Sequence, residues 1–476
     1  MGTGPEERVP WARLHDDARG MAAALQSRGI VPGDHVALLG PTTRPLVTAI
    51  QATWLCGAGA VLLPLPIRLG SIEEFVGQTR ARVRSADAAI LLVDPDFAPF
   101  VEPTPGDPPM VLLTELVAAA APAPFERPPD DPEALAILQF TSGSTADPKG
   151  VMIPHRALGA NLDAIATAAH LDVDDDVLVS WLPLYHDMGL IGMLTLPMTT
   201  GTDLVLAAPQ DFLASPARWV EWLSAYGGTA TAGPNFSYAL AARALRRHAA
   251  LDLSRWRLGL NGAEPIDPDA VEAFCAAGAP HAMDGRLVFC AFGMAEATLA
   301  VTFPEPFTGM AVDAVDRRVL EADRYAAPTA PDAEGVRRLA RLGRPVPGMS
   351  VRVVDPAGRV LREREVGELQ IRGTSVTTGY YRRPDATADA FDTSSPGSDA
   401  SPWLRTGDLA YRVDGELVVC GRMKDVIIVG GRNVFPEDVE RAVAMVDGVR
   451  AGNIIAFGVE GRRGREALVV VAETRT

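Results

Sequence analysis

The chain has almost no lysine. Of its 44 Lys and Arg residues only Lys149 and Lys424 are lysine, and all others are arginine. So strong a bias converts indifferent lysines to arginine. A surviving lysine marks a place where a compact ammonium on a flexible stem does what a planar guanidinium does not. Cysteine is scarce as well. Cys56, Cys275, Cys290 and Cys420 are dispersed without Cys-x-x-Cys spacing. They offer neither a zinc site nor a disulfide framework, and suit reduced core thiols in a cytoplasmic protein. No apolar run reaches the ~18 residues that a membrane span needs. The opening residues, Met1-Gly2-Thr3-Gly4-Pro5-Glu6-Glu7, are polar and acidic, unlike a signal or transit peptide. Positive charge is in deficit, with a net charge of -16. That argues against nucleic acid as a partner and for a soluble enzyme. Gly-x-Ser-x-Gly, Gly-x-Gly-x-x-Gly and His-Glu-x-x-His are all missing. Hydrolase, dinucleotide and zinc-protease readings lose their support with them.

What is present is an ordinary globular composition, 47% hydrophobic and 22% charged over 476 residues. That length holds roughly three domain-sized units. Residues 11–29 carry apolar side chains at helical spacing, and 46–56, 190–198, 216–225 and 236–248 read as further helices. Short apolar strands alternate with them at 34–40, 60–65, 88–93, 134–140, 176–180, 203–206, 229–235, 257–260 and 287–292. Such alternation predicts parallel sheets flanked by helices. From Ser350 the strands shorten (350–354, 367–372, 416–420) and imply a β-rich subdomain. Gly421-Arg422-Met423-Lys424-Asp425 reads as a hinge. A strand over 426–432, a helix from Pro436 and strands at 452–458 and 467–472 follow it. The expected organisation is an α/β protein. Its large N-terminal domain, 1–420, has flanked parallel sheets and a β-rich subdomain at about 343–420. A hinge at 421–425 and part of a small α+β C-terminal domain, 426–476, complete it.

Five stretches carry the chemistry. In the first, the apolar run ending at Phe140 breaks into Thr141-Ser142-Gly143-Ser144-Thr145-Ala146-Asp147-Pro148-Lys149-Gly150. Small residues leave backbone N–H groups free to face an anion, glycines let the backbone approach it, hydroxyls add donors and a lysine adds charge. Pro148 before the lysine and Gly150 after it distinguish this phosphate cradle from a Walker loop. The second is Trp181-Leu182-Pro183-Leu184-Tyr185-His186-Asp187-Met188-Gly189-Leu190, in which a lone histidine reads as well structurally as catalytically. The third, Asn261-Gly262-Ala263-Glu264-Pro265, is a turn flat enough for a base to lie against. The fourth is Phe292-Gly293-Met294-Ala295-Glu296-Ala297. In the fifth, Trp403-Leu404-Arg405-Thr406-Gly407-Asp408-Leu409, a carboxylate after a Thr-Gly turn can accept both hydroxyls of a ribose. The other reading of Asp408 is an Asx-type turn.

In order and spacing these stretches resemble the motifs of the adenylate-forming superfamily, which holds acyl-CoA synthetases, luciferases and peptide-synthetase adenylation domains. Three features are most similar to its fatty acyl-AMP ligases: Leu182-Pro183-Leu184-Tyr185-His186-Asp187-Met188-Gly189, Thr231-Ala232-Gly233-Pro234-Asn235-Phe236-Ser237-Tyr238, and the segment Val315–Arg341 before Gly343-Arg344-Pro345. That last segment resembles a branch-specific insertion that hinders use of CoA. Its charged, Ala/Pro-rich character alone would say only surface excursion.

The resemblance implies ATP and Mg²⁺ as cofactors. It implies a lipophilic carboxylic acid as substrate, and an acyl carrier protein, or alternatively CoA, as acceptor. It assigns Thr141, Ser142, Gly143, Ser144, Thr145 and Lys149 to the phosphates. Gly262, Ala263, Glu264, Phe292, Gly293 and Met294 fall to the adenine side. Asp408 falls to the ribose, Arg422 to the ribose or a phosphate, and Thr141 and Glu296 to the metal. His186 would sit beside the substrate carboxylate, Lys424 at the hinge, and Met188, Met193 and Phe236 along the acyl pocket. Phe292 stands where the family has tyrosine, and Ala295 where it has threonine. Such proteins ordinarily continue into a Ser/Thr-Gly-Lys loop whose lysine reaches the substrate carboxylate, and no third lysine is present. The expectation is a chain that binds ATP or acyl-AMP and adenylates slowly or not at all. A non-catalytic acyl-nucleotide binding module is the reading from another class.

Overall fold

Strands written as continuous apolar runs have to be covered on both faces. The computed structural model, which describes residues 6–66, 72–118, 124–140, 149–392, 402–429, 432–460 and 466–474, meets that need with two sheets clothed in helices. The first contains β1 (His35–Leu39), β2 (Gly59–Leu62), β3 (Ala88–Val93), β4 (Met110–Leu112), β5 (Leu135–Phe140) and β6 (Gly150–Pro154), in the order β4-β3-β1-β2-β5-β6. All neighbours run parallel except β5 and β6, which pair antiparallel. Alternate residues of β1 serve different cores. Val36 and Leu38 join the large central cluster, while Ala37 and Leu39 join a second one with Val61, Leu91 and Leu138.

The second sheet is parallel throughout. It holds β7 (Val177–Ser180), β8 (Asp203–Leu206), β9 (Ala230–Gly233), β10 (Leu258–Asn261) and β11 (Val288–Cys290), in the order β11-β10-β9-β7-β8. An antiparallel sheet follows, built on Met349–Val354, Gly367–Gly373, Trp403–Val413 and Glu416–Arg422. The chain then forms the hairpin Ile427–Val429/Arg432–Val434, the helix Pro436–Ala444 and the long hairpin Val449–Glu460/Glu466–Thr474.

Several local expectations change. The apolar stretch read as one helix over 190–198 is a π-helix, Met188–Thr195, running into an α-helix, Leu196–Thr200. The Thr195 hydroxyl donates to the Leu190 carbonyl, and Pro197 has no N–H for the ladder. A run apolar on every face has no stripe whose period could reveal the wider coil. The strand read over 287–292 divides at Ala291. Beyond it, Phe292–Gly293 leaves the parallel sheet to pair antiparallel with Ala300–Phe303. The strand read over 426–432 is a two-stranded hairpin, and Gly421 and Arg422 of the supposed hinge complete the strand Glu416–Arg422.

The segment Val315–Arg341 is no surface excursion. Val312–Asp316 pairs with Val336–Ala340, and the helix Arg317–Asp323 lies between them in sequence. Val315, Leu320, Ala326 and Leu339 are buried in a third core with Tyr411, Cys420 and Phe435.

Candidate active site

In an open parallel sheet, ligand-binding turns gather beyond the carboxyl ends of the strands. Three of the five motifs begin there, and so does the helix that carries Phe236. The His186 stretch follows β7, Gly262-Ala263-Glu264 follows β10, Phe292 to Glu296 follows β11, and Phe236 begins the helix after β9. Asn261 pairs in register with Gly233 on one side and Cys290 on the other, so three of these turns start level. The Asn261 amide donates to Asn235 Oδ1 at 3.1 Å, tying the β9 and β10 turns together. The Gln139 amide, at the end of β5, donates to the Tyr185 carbonyl at 2.8 Å and ties the first sheet to the His186 turn.

Among the cradle residues, Thr141, Ser142, Gly143, Ser144 and Thr145 lie outside the described residues. Lys149 is exposed at the head of β6, and its ammonium lies 4.8 Å from the centre of the Tyr380 ring. Tyr380 reaches this point because its backbone bridges to Val151, with the Met152 N–H donating to Gly379 and the Tyr381 N–H to Gly150. The Tyr380 hydroxyl donates to Glu296 Oε1 at 2.8 Å. Lys149 and Glu296, far apart in sequence, thus meet on one side chain.

The Glu296 turn is itself pinned. The Thr377 N–H donates to its carbonyl at 2.9 Å. Thr298, held at φ +73°, donates its hydroxyl to the Ser375 carbonyl at 2.7 Å. Buried Asn161 donates to both the Ala300 carbonyl and the Ser375 hydroxyl, and accepts from the Ala300 N–H. A β-branched residue at positive φ is strained and persists where its surroundings over-determine it.

His186 is half exposed. Its Nδ1 lies 2.7 Å from Asp187 Oδ1, and the same carboxylate accepts from the Met188 N–H to cap the π-helix. Burial works against the imidazolium, but the charge and hydrogen bond of Asp187 outweigh it and raise the pKa above the ordinary value. Gly189 is obligatory, because a Cβ there would stand 2.3 Å from the Pro183 carbonyl oxygen. Glu264 does more than line a turn. It accepts from the Phe236 N–H at 2.6 Å at the start of the helix Asn235–Leu245, and burial raises its pKa. Ala263 sits at φ +68° and Gly262 packs close to the Ala291 carbonyl, which flattens the turn.

Asp408 is 5% exposed, with Arg422 at 3.4 Å across the strand pair. Burial pushes its carboxyl up to about 6, Arg422 pulls the other way, and Glu296 adds to the rise. Phe292, Gly293 and Met294 are half-buried. Lys424 lies in the turn after Arg422. The proposed acyl residues divide. Met188 and Met193 are buried in the central core, whereas Phe236 is 43% exposed and packs its ring against Trp181 and Phe212.

Sequence reasoning missed Tyr380, Thr298, Asn161 and Ser375. One signal was available: Tyr380 and Tyr381 are adjacent in a chain with seven tyrosines.

Residues 3–381 match the AMP-binding enzyme family. Rv1013 of Mycobacterium tuberculosis is 40% identical over 473 residues, covering 98% of this chain and 84% of that protein. The medium-chain-fatty-acid–[acyl-carrier-protein] ligase JamA of Moorena producens is 32% identical over 480 residues, 98% of this chain and 80% of that protein. The fatty acyl-adenylate ligase of Legionella pneumophila, solved with acyl adenylate and pyrophosphate, superposes with a TM-score of 0.83 at 30% identity, covering 100% of this chain and 83% of that one. With its motif-bearing turns gathered beyond the carboxyl ends of one sheet's strands and a family match over most of its length, the chain belongs to the AMP-binding enzymes, the adenylate-forming ligases.

Proposed function

We propose that this protein activates a fatty or other lipophilic carboxylic acid with ATP to acyl-AMP, releasing pyrophosphate, and passes the acyl group to the phosphopantetheine thiol of a carrier protein. The single observation that carries the reading is the convergence of the motif-bearing turns at the carboxyl ends of β7, β9, β10 and β11, with the head of β6 beside them. Membership of the family supports ATP as the co-substrate.

In this reading an oxygen of the acid attacks the α-phosphorus and the bond to the β-phosphate breaks. Positioning and charge neutralisation supply most of the catalysis. Lys149 sits at the end of the cradle and neutralises the departing pyrophosphate. His186, its pKa raised by Asp187, faces the negative charge of the incoming carboxylate. Asp408 accepts the ribose hydroxyls, with Arg422 beside it. Gly262 and Ala263 form the flat floor for the base, and Phe292 the ring beside it. Phe236, held out by the Glu264 cap, and the Trp181 cluster line the entry of the acyl chain.

Glu296 suits Mg²⁺. One of its oxygens is held by Tyr380, a hard cation on phosphates needs few protein oxygens, and among the described residues no group of three or more His, Cys, Asp or Glu gathers to suit a more demanding metal. With Thr141 as second oxygen donor, such an ion would neutralise phosphate charge. Gly421 to Asp425 would act as the hinge between the two half-reactions, with 1–420 and 426–476 as the units it joins.

The buried packing of Val315–Arg341 against Phe435 supports carrier protein over CoA as the acceptor, because it ties the segment that follows the hinge to the body of the protein. A panel of fatty acids assayed by ATP–pyrophosphate exchange tests the first half-reaction. Mass spectrometry with holo-carrier protein and CoA side by side tests the second. Acyl-CoA formed in preference to acyl-carrier would reverse the choice of acceptor, and absence of exchange with every acid would favour the non-catalytic acyl-nucleotide binding module.

A further inference from the structure

We propose that Tyr380 is the positioning residue that sets Glu296 and Lys149 for magnesium-bound ATP; the proposal rests on the adenylation reading above. Three features of the geometry point to it. The hydroxyl of Tyr380 donates to Glu296 Oε1 at 2.8 Å, which fixes the carboxylate's rotation and leaves its second oxygen for a cation. The ring of the same tyrosine carries the Lys149 ammonium on its face at 4.8 Å, within the range of a cation–π contact. The backbone that presents the ring is fastened on both sides. Tyr380 bridges to Val151 in the strand that starts one residue after Lys149, and its N–H donates to the Thr387 hydroxyl at 3.0 Å. A phenol keeps its proton near neutral pH, so the hydroxyl is a donor to the carboxylate.

A phosphate site faces a conflict that Tyr380 resolves. A carboxylate and an ammonium brought to the same triphosphate attract each other, and a direct ion pair would take both from the ligand. Tyr380 engages each by a contact that leaves its charge unneutralised, a neutral O–H on the carboxylate and a π face on the ammonium. Phenylalanine would keep only the second contact and leucine neither.

The test is isothermal titration of the 476-residue chain with ATP plus Mg²⁺ and with ATP plus EDTA. Wild type, Tyr380→Phe, Tyr380→Leu, Glu296→Gln and the Tyr380→Phe/Glu296→Gln pair are compared, with unfolding midpoints alongside. Tyr380→Phe should weaken MgATP binding about tenfold, as loss of a hydrogen bond to a charged group does, and leave metal-free ATP binding unchanged. Tyr380→Leu should weaken both. In the Glu296→Gln background Tyr380→Phe should add nothing, because the two residues act as one unit. Tyr380→Phe binding MgATP as tightly as wild type overturns the inference, even if its unfolding midpoint falls. So does an equal loss from Tyr380→Phe with Glu296 present or replaced. Wild-type protein that takes up no MgATP overturns the adenylation reading, and this inference with it.

Discussion

Two clusters of charged side chains in this protein handle charge in opposite ways. One joins the Val315–Arg341 segment to Phe435 and Asp438. Arg337, 5% exposed, pairs with Asp438 at 3.0 Å, donates to the Cys420 carbonyl at 2.9 Å and covers the Phe435 ring at 4.1 Å. The other lies at the mouth of the site, where Lys149, Glu296, Asp408 and His186 stand. There Lys149 is exposed, Glu296 is met by a neutral hydroxyl, and Asp408 has an exposed Arg422 beside it at 3.4 Å. The first cluster buries an ion pair behind apolar walls, with Arg337 Nη1 and Asp438 Oδ2 left without a hydrogen-bond partner, and that burial suits structure. The second, apart from buried Asp408, sets its charges beside open solvent, which suits a charged ligand.

The comparison breaks most visibly at Arg337. Arg337→Ala should destabilise the protein by about 3–5 kcal/mol, because Asp438 is left buried without its partner. Urea unfolding reads this directly, and a loss below about 1 kcal/mol would place Arg337 among ordinary surface ion pairs. Lys149→Ala should do the reverse. Pyrophosphate exchange should fall by about 10²–10³, the usual effect of losing one preorganised charge donor, while the unfolding midpoint stays put. Lys149→Arg should fail to restore activity, and a full rescue would contradict the reading of lysine scarcity.

Asp408→Asn separates the two behaviours within one residue. Its folded carboxyl titrates at about 6, against an ordinary value near 4. From about pH 4 to 6 the native state therefore binds more protons than the unfolded chain, and this group's contribution to stability falls as pH rises. The variant should lose that slope and be no less stable at pH 7. It should bind MgATP about tenfold more weakly, as an acceptor loses its charge. Stability curves against pH for the two proteins, run beside ATP titrations, check both halves.

The smallest effect belongs to His186. Its pKa is raised in the folded state, so its cationic contribution is complete below about 6.5 and is lost as pH rises through the higher folded value. Fatty-acid affinity should decline by a few fold across that range in the wild type, an exposed-charge effect, and stay flat in His186→Phe. An equal decline in both would assign the titration to another group.

Much of the fold was legible because its strands are apolar runs between helices of clear period, as at Val36 to Leu39 and Leu14 to Leu25. Where period carried no information, reading failed. Met188 to Thr195 is apolar on all sides, so nothing distinguished a π-helix from an α-helix. The Val315–Arg341 segment looked polar because its buried residues are few and widely spaced. At the site, residues with a special backbone or a special charge could be named in advance: Lys149 by its rarity, Gly262 and Ala263 by their turn, Asp408 after Thr406-Gly407. Tyr380 could not be assigned a role, since nothing local connects it to Glu296, 84 residues away.

The sequence alone determined the chemistry available: which loop of small and hydroxyl residues ending in a lysine, which carboxylates, which histidine, and in what order along an alternating α/β chain. Those properties are local, set by side-chain type and backbone permissiveness. Tertiary structure decided which of these groups meet. The antiparallel return of β6 carries Lys149 to Tyr380, the register of β9, β10 and β11 levels three turns, and the buried Arg337 makes an apparent excursion part of the core. Those outcomes depend on long-range strand pairing and on where burial closes, and no short stretch of sequence encodes either.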